Sequence, residues 1–252
     1  MQARIVGARQ GAAWLVDGWR LFRAAPLGWL AMVFGYWIIM TLASVVPFIG
    51  VAAASIMVPA FSVGFMAAAR AAARGGPVEL TLLFDGFRHQ PKSQLVLGVI
   101  YLMCLGTLLS VTTLVDDGAL ASWMLTGRPA EDTLQSDDFL QALGVAALLY
   151  TPVLMAFWFA PPLAAWHGVG PVKALFFSFV ACLLNWRPFL VYGVSSALVV
   201  LVLPLAVLLA LTLASLKVAA MSLVFPVLLV LLPILFASFY ASYRDIFGVE
   251  QA

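Results

Sequence analysis

The chain has 252 residues, of which 64% are hydrophobic and only 10% charged, with a mean hydropathy of +1.08. A water-soluble domain is about half apolar with about a quarter of its residues charged, so this composition excludes a soluble globule and requires lipid as solvent for most of the surface. The net charge of +2, with basic residues scattered at the ends of apolar segments, excludes a nucleic-acid partner.

The first 25 residues hold Arg4, Arg9, Asp17, Arg20 and Arg23 without an uninterrupted apolar run, so no cleavable signal is expected and the first membrane helix directs insertion. A helix needs about 20 apolar residues to cross roughly 30 Å of hydrocarbon. Six stretches meet that requirement, at residues 27–48, 51–69, 95–115, 140–166, 189–213 and 218–243. The predicted fold is therefore all-α: a polytopic integral membrane protein with about six transmembrane helices. A turn around residues 47–50 joins the first pair, and a turn around Lys217 the last, so each pair reads as a helical hairpin.

Orientation follows from the basic residues, which cytoplasmic loops retain and translocated loops shed. Eleven of the thirteen lie on one side: Arg4, Arg9, Arg20, Arg23, Arg70, Arg74, Arg88, Lys92, Lys173, Arg187 and Arg244. Only Arg128 and Lys217 fall on the other. This predicts cytoplasmic N- and C-termini and a single sizeable periplasmic loop at residues 116–138. Asp116, Asp117, Glu131, Asp132, Asp137 and Asp138 face Arg128 alone in that loop. Its acidity reads first as a solvated loop kept free of positive charge for topogenesis, and second as a cation-attracting or partner-docking surface.

Aligning Pro26, Pro91 and Pro188, which precede the odd-numbered spans, brings out an internal repeat. Eleven, seven and four residues before each proline stand Leu15, Trp19 and Phe22; Leu80, Phe84 and Phe87; and Phe177, Ala181 and Leu184. This spacing predicts an apolar stripe on an interfacial helix, with Asp17, Arg20 and Arg23, or Glu79, Asp85 and Arg88, on the opposite side. The third copy is the most apolar. Each even-numbered span adds a proline followed eleven positions later by a basic residue: Pro59 and Arg70, Pro162 and Lys173, Pro233 and Arg244. Eleven residues of helix rise about 16 Å, from mid-membrane to the headgroups. The chain thus reads as three parallel repeats of interfacial helix plus hairpin, at about residues 8–74, 75–168 and 169–247. Arg70, Lys173, Arg244, Trp19, Phe22, Phe84 and Phe87 are the expected cytoplasmic interface anchors.

The segment Asp17-Gly18-Trp19 leading to Phe22 and Pro26, together with Tyr240, Tyr243, Arg244, Asp245, Ile246 and Phe247, resembles a proteobacterial family of six-helix transmembrane proteins that carry a domain of unknown function. The repeat is also similar to membrane domains attached to some glycerophosphodiester phosphodiesterases. The resemblance runs over the whole chain and implies the bacterial cytoplasmic membrane. It carries over no catalytic residue, and no segment here corresponds to the phosphodiesterase catalytic domain.

Ionisable groups inside a membrane mark ion paths and proton relays, and the six spans place none at mid-depth. No metal or haem site is expected at His89 and His167, which lie near the cytoplasmic boundary without a second ligand at helical spacing. Cys104 and Cys182 fall in apolar stretches and read as structural. The prolines at 152, 161, 162, 204, 226 and 233 read as kinks before unwound binding segments. Ala68 with Ala72, and Gly193 with Ala197, set small residues four apart for close helix packing. Trp29, Trp37, Trp158 and Trp166 read as interfacial anchors. No catalytic residue, metal or cofactor is therefore expected. The leading reading is a noncatalytic scaffold, assembly factor or accessory subunit contacting lipids and a membrane-protein partner or a second copy of itself. The alternative is a transporter or lipid-handling protein whose cavity at the repeat axis is lined by Thr107, Ser110, Thr151, Ser195 and Ser196.

Overall fold

The computed structural model describes residues 3–45, 49–126, 136–213 and 217–248. These residues form α1 (Gln10–Ala24), α2 (Pro26–Ser44), α3 (Gly50–Ala73), a 3-10 turn (Leu80–Phe84), α4 (Asp85–Arg88), α5 (Pro91–Asp116), α6 (Ala119–Thr126), α7 (Asp137–Phe157), α8 (Ala160–His167), α9 (Pro171–Leu184), α10 (Trp186–Leu213) and α11 (Lys217–Phe247), with no strand among them. Six segments are long and apolar enough to cross a membrane: Pro26–Ser44, Gly50–Ala73, Pro91–Asp116, Asp137–His167, Trp186–Leu209 and Leu229–Phe247. The protein is a polytopic helical membrane protein. The expected turn at 47–50 and the turn beside Lys217 fall largely outside the described residues.

The chain forms two compact units. Unit 1 comprises Met1–Ile39, Phe61–Arg88 and Val180–Ala252, and unit 2 comprises Met40–Ala60 and His89–Phe179. In unit 1, α1 packs against both α10 and α11, which also pack on each other. The buried face of α1 is Gly11, Trp14, Gly18, Leu21 and Phe22. The apolar stripe predicted through Leu15, Trp19 and Phe22 is thus rotated: Trp14 is 0% exposed and Trp19 43%. The cause is backbone proximity. A Cβ at Gly11 would stand 2.0 Å from the Pro188 carbonyl oxygen, and one at Gly18 would stand 2.4 Å from that of Ile234. Two glycines one helical turn either side of a tryptophan let α1 sink onto its neighbours, and a stripe scored by side-chain bulk misses such a face. Trp14 fills the space between them, its ring 5.3 Å from Phe189 and 5.9 Å from Tyr192.

Trp29 is a core residue and not an exposed anchor: it is 0% exposed and its indole Nε1 donates to the Leu21 carbonyl at 3.1 Å. That bond ties the last turn of α1 to the first of α2 across Pro26, which ends one helix and opens the next because it lacks an N–H. Tyr36, Phe61, Phe65 and Phe236 complete an aromatic core in which Phe65 and Phe236 stack at 4.0 Å. The second interfacial segment is a 3-10 turn followed by a single α-helical turn, where an amphipathic helix was expected. It passes tightly over α3, and a Cβ at Gly64 would meet the Leu83 carbonyl oxygen at 2.3 Å.

Unit 2 is built on α5, which packs against α6, α7 and α8. Gly98 brings α5 onto the first half of α3, with a Cβ there only 2.1 Å from the Ile56 carbonyl oxygen. At the far end of α5, Asp117 and Gly118 adopt left-handed conformations with φ of 50° and 88° and turn the chain into α6. The Asp116 carboxylate accepts from Gly118 N at 3.0 Å and Leu120 N at 2.7 Å, capping α6. Ser136 caps α7, and Asp137 and Asp138 lie in its first turn, where a carboxylate offsets the positive end of the helix dipole. Leu120, Phe139 and Ala142 form a small core between them. The acidic connection is therefore part helix, and these three carboxylates sit at helix starts. Arg128, Glu131 and Asp132 lie outside the described residues.

Candidate functional site

The densest polar constellation lies in unit 1, where both ends of the chain meet. Residues 3–7 form no helix, and their backbone bonds elsewhere. Arg4 N donates to the Ile246 carbonyl at 2.7 Å, and Val6 N donates to Asn185 Oδ1 at 2.9 Å. Asn185 Nδ2 returns bonds to the carbonyls of Arg4 and Ala181 at 3.0 and 2.9 Å. Asn185 is 1% exposed, so a side-chain amide replaces the strand partner that an extended strap would otherwise require. Gly248, with φ of 58°, closes the other side: a Cβ there would stand 2.5 Å from the Arg4 guanidinium carbon.

Asp245 is the hub one turn away. Its Oδ2 accepts from Gln10 Nε2 at 2.6 Å and Trp14 Nε1 at 3.0 Å, and its Oδ1 accepts from Arg244 Nε at 3.2 Å. Arg244 Nη2 in turn donates to Asp17 Oδ2 at 2.8 Å, and Arg20 Nη1 reaches Asp17 Oδ1 at 3.0 Å. Sequence reading placed Arg244 as a lone interface anchor. The structure shows it between two carboxylates, its side chain a quarter exposed. Asn185 was not singled out by the sequence, and Asp245 only as part of the segment that carries the family resemblance, because their partners lie 179 and 235 residues away. The arrangement closes the ends of the chain on one another; it presents no nucleophile beside a base.

In unit 2 the distinguishing feature is a break in the fourth span. Five prolines sit inside continuous helices: Pro59 in α3, Pro152 in α7, Pro204 in α10, Pro226 and Pro233 in α11. Pro161 and Pro162 instead follow a true interruption at Trp158 and Phe159. The fully buried Ser178 hydroxyl is spliced into it, donating to the Met155 carbonyl at 2.7 Å and accepting from Phe159 N at 2.9 Å. Those two backbone groups would bond each other in an unbroken helix. Gln94, 2% exposed, donates through Nε2 to the Pro161 carbonyl at 2.9 Å. Ser178→Ala removes a hydrogen-bond partner from both backbone groups and is expected to cost roughly 1–3 kcal/mol, read as a lower melting temperature in detergent. An unchanged melting temperature would show that the break closes on itself.

The predicted cavity residues divide between the two units. Thr107, Ser110 and Thr151 are exposed, and their hydroxyls donate to the carbonyls of Met103, Gly106 and Ala147, one turn back on their own helices. Ser195 and Ser196 belong to unit 1 and are half-buried, Ser196 one turn beyond Tyr192, whose hydroxyl pairs with Ser238 Oγ at 2.7 Å. Among the predicted anchors, Phe22 is turned inward at 6% exposure, whereas Phe84 and Phe87 are 38% and 36% exposed. Arg70 is half-buried near the Tyr243 hydroxyl. Lys173 is exposed, and it does not continue the helix of Pro162, because α8 ends where Gly168 turns left-handed at φ of 62°. Ala68 and Ala72 are buried as expected for a packing pair, but a Cβ at Gly193 would meet no atom of a neighbouring element within 4 Å. His89 and His167 are both exposed.

A probable inner membrane protein of Burkholderia thailandensis is 40% identical over 265 aligned residues, spanning 100% of this chain and 96% of the relative. The chain belongs to that inner-membrane protein family. No family model matches it, and no solved structure does. The relative supports the expected membrane family, whereas nothing in the comparisons supports the link to membrane domains of phosphodiesterases.

Proposed function

We propose that the protein is a noncatalytic component of the bacterial inner membrane, with both termini in the cytoplasm, acting as a scaffold, assembly factor or accessory subunit through helix and lipid contacts. The observation that carries this reading is the way its polar groups are used. The carboxylates and amides of the terminal clasp, the caps of α6 and α7, and the hydroxyls of Thr107, Ser110 and Thr151 are each engaged in holding the chain's own backbone or side chains. What the structure presents outward is apolar: on α10, Leu190, Val194, Leu198, Leu201 and Leu205 are all more than half exposed. Such a face suits lipid tails and the apolar helices of a partner subunit.

The second reading, transport or lipid handling, is favoured by one feature, the interrupted fourth span with the buried Gln94 against it, since transporters form binding sites at broken helices. Gentle extraction of the tagged protein, followed by quantitative mass spectrometry against an unrelated six-helix control, separates the two. The accessory-subunit reading predicts a stoichiometric protein partner. A retained small molecule with no enriched protein contradicts it and favours the second.

A further inference from the structure

Three cations of the interfacial segments rest on aromatic faces. The Arg23 guanidinium lies 6.0 Å from the Trp19 ring centroid, Lys173 Nζ lies 5.4 Å from that of Phe177, and the Arg187 guanidinium lies 5.4 Å from that of Trp186. All three cations are exposed, and so are the Trp19 and Trp186 rings, by 43% and 54%. None of the three cations is paired with a carboxylate among the described residues, unlike Arg20 and Arg244.

Their positions along the chain are also alike. Trp19 and Arg23 directly precede the first span, Lys173 and Phe177 follow the end of the fourth, and Trp186 and Arg187 open the fifth. Alternate crossings put the start of the first span, the end of the fourth and the start of the fifth on one membrane face. An indole ring settles at headgroup depth, and a cation held over an aromatic ring beside a span end stands at phosphate level with its charge unspent. An anionic phospholipid supplies both the matching charge and the acyl chains that continue down the exposed apolar helices.

We infer that these three aromatic–cation pairs are headgroup sites for anionic phospholipid. The inference rests on the membrane-embedded reading above and names the lipid class it uses. Each Lys or Arg at such a surface contributes about a fivefold preference for anionic lipid, so the three together amount to about a hundredfold.

The test measures binding of short-chain phosphatidylglycerol and phosphatidylcholine of equal chain length to the full chain in neutral detergent. The expected result is a marked preference for phosphatidylglycerol that falls by about a hundredfold in the triple variant Arg23→Gln, Lys173→Gln, Arg187→Gln. The charge-matched variant Arg74→Gln, Arg88→Gln, Lys92→Gln is expected to lose clearly less of the preference, since it removes the same diffuse charge from the same side but none of the three aromatic–cation pairs. Equal losses in both variants would overturn the inference in favour of diffuse charge, as would an unchanged preference in the first. Displacement of phosphatidylglycerol by equimolar glycerol phosphate would also overturn it, by showing a free-phosphate site. Partner capture reads out independently, so failure here leaves the accessory-subunit reading to its own experiment.

Discussion

Gly11→Val is expected to be among the most damaging single substitutions in unit 1. The new Cβ would fall 2.0 Å from the Pro188 carbonyl oxygen and 2.7 Å from Tyr192 N, both backbone atoms of α10 that no rotamer change can clear. Overpacking costs typically 1–3 kcal/mol and more where the obstruction is rigid, so α1 must lift off α10 and expose Trp14. A loss of about 3 kcal/mol corresponds to a drop of roughly 6–12 °C in the melting temperature of the detergent-solubilised protein. Gly193→Ala is the internal control, since a Cβ there meets nothing within 4 Å, and it should leave the melting temperature unchanged or slightly raised. Equal effects at the two glycines would contradict the close approach of α1 and α10.

Asp245→Ala carries the second large effect, because one carboxylate serves three donors. Its removal leaves the indole N–H of the fully buried Trp14 without an acceptor and Arg244 with Asp17 alone. An unsatisfied buried donor costs about 1–3 kcal/mol, and loss of a charge-assisted bond adds to it, so a destabilisation of about 3 kcal/mol is expected. Asp245→Asn should recover part of this, as the amide oxygen can still accept from one donor. The second measurement is proteolysis after Arg4 or Arg9: freeing the clasp should raise cleavage of the N-terminal strap well above wild type. A strap equally protected in Asp245→Ala would mean that Asn185 and the Arg4–Ile246 bond hold it unaided.

The course of the chain was legible where hydrophobicity runs long. Each predicted span overlaps an observed helix because twenty apolar residues in sequence leave the backbone no partner but itself. Of the three aligned prolines, Pro26 and Pro91 open helices and Pro188 lies in the first turn of one, for the same local reason, the missing N–H. What escaped was everything set by distant contacts. Trp29 sits near the end of an apolar run and so resembles an interface anchor, yet the Leu21 carbonyl draws it inward. Gly11 and Gly18 contribute no bulk to a periodicity, although they decide which face of α1 is buried. Ser178 and Gln94 look like incidental polar residues in apolar helices until the interruption at Trp158 and Phe159 gives them backbone groups to bond. Pairing Pro162 with Lys173 failed because a left-handed glycine lies between them, and spacing alone does not reveal where a helix stops.

The most direct test of the central claim, six crossings with both termini and the interfacial segments in the cytoplasm, is labelling of single cysteines with a membrane-impermeant thiol reagent. In a Cys104→Ser, Cys182→Ser background, cysteines replace Arg9, Arg88 and Ser122, all of them exposed. The account predicts that in intact spheroplasts only the cysteine at position 122, in α6 between the third and fourth spans, is labelled, and that the other two react after permeabilisation. Labelling at position 9 or 88 in intact spheroplasts, or protection at 122, would contradict it.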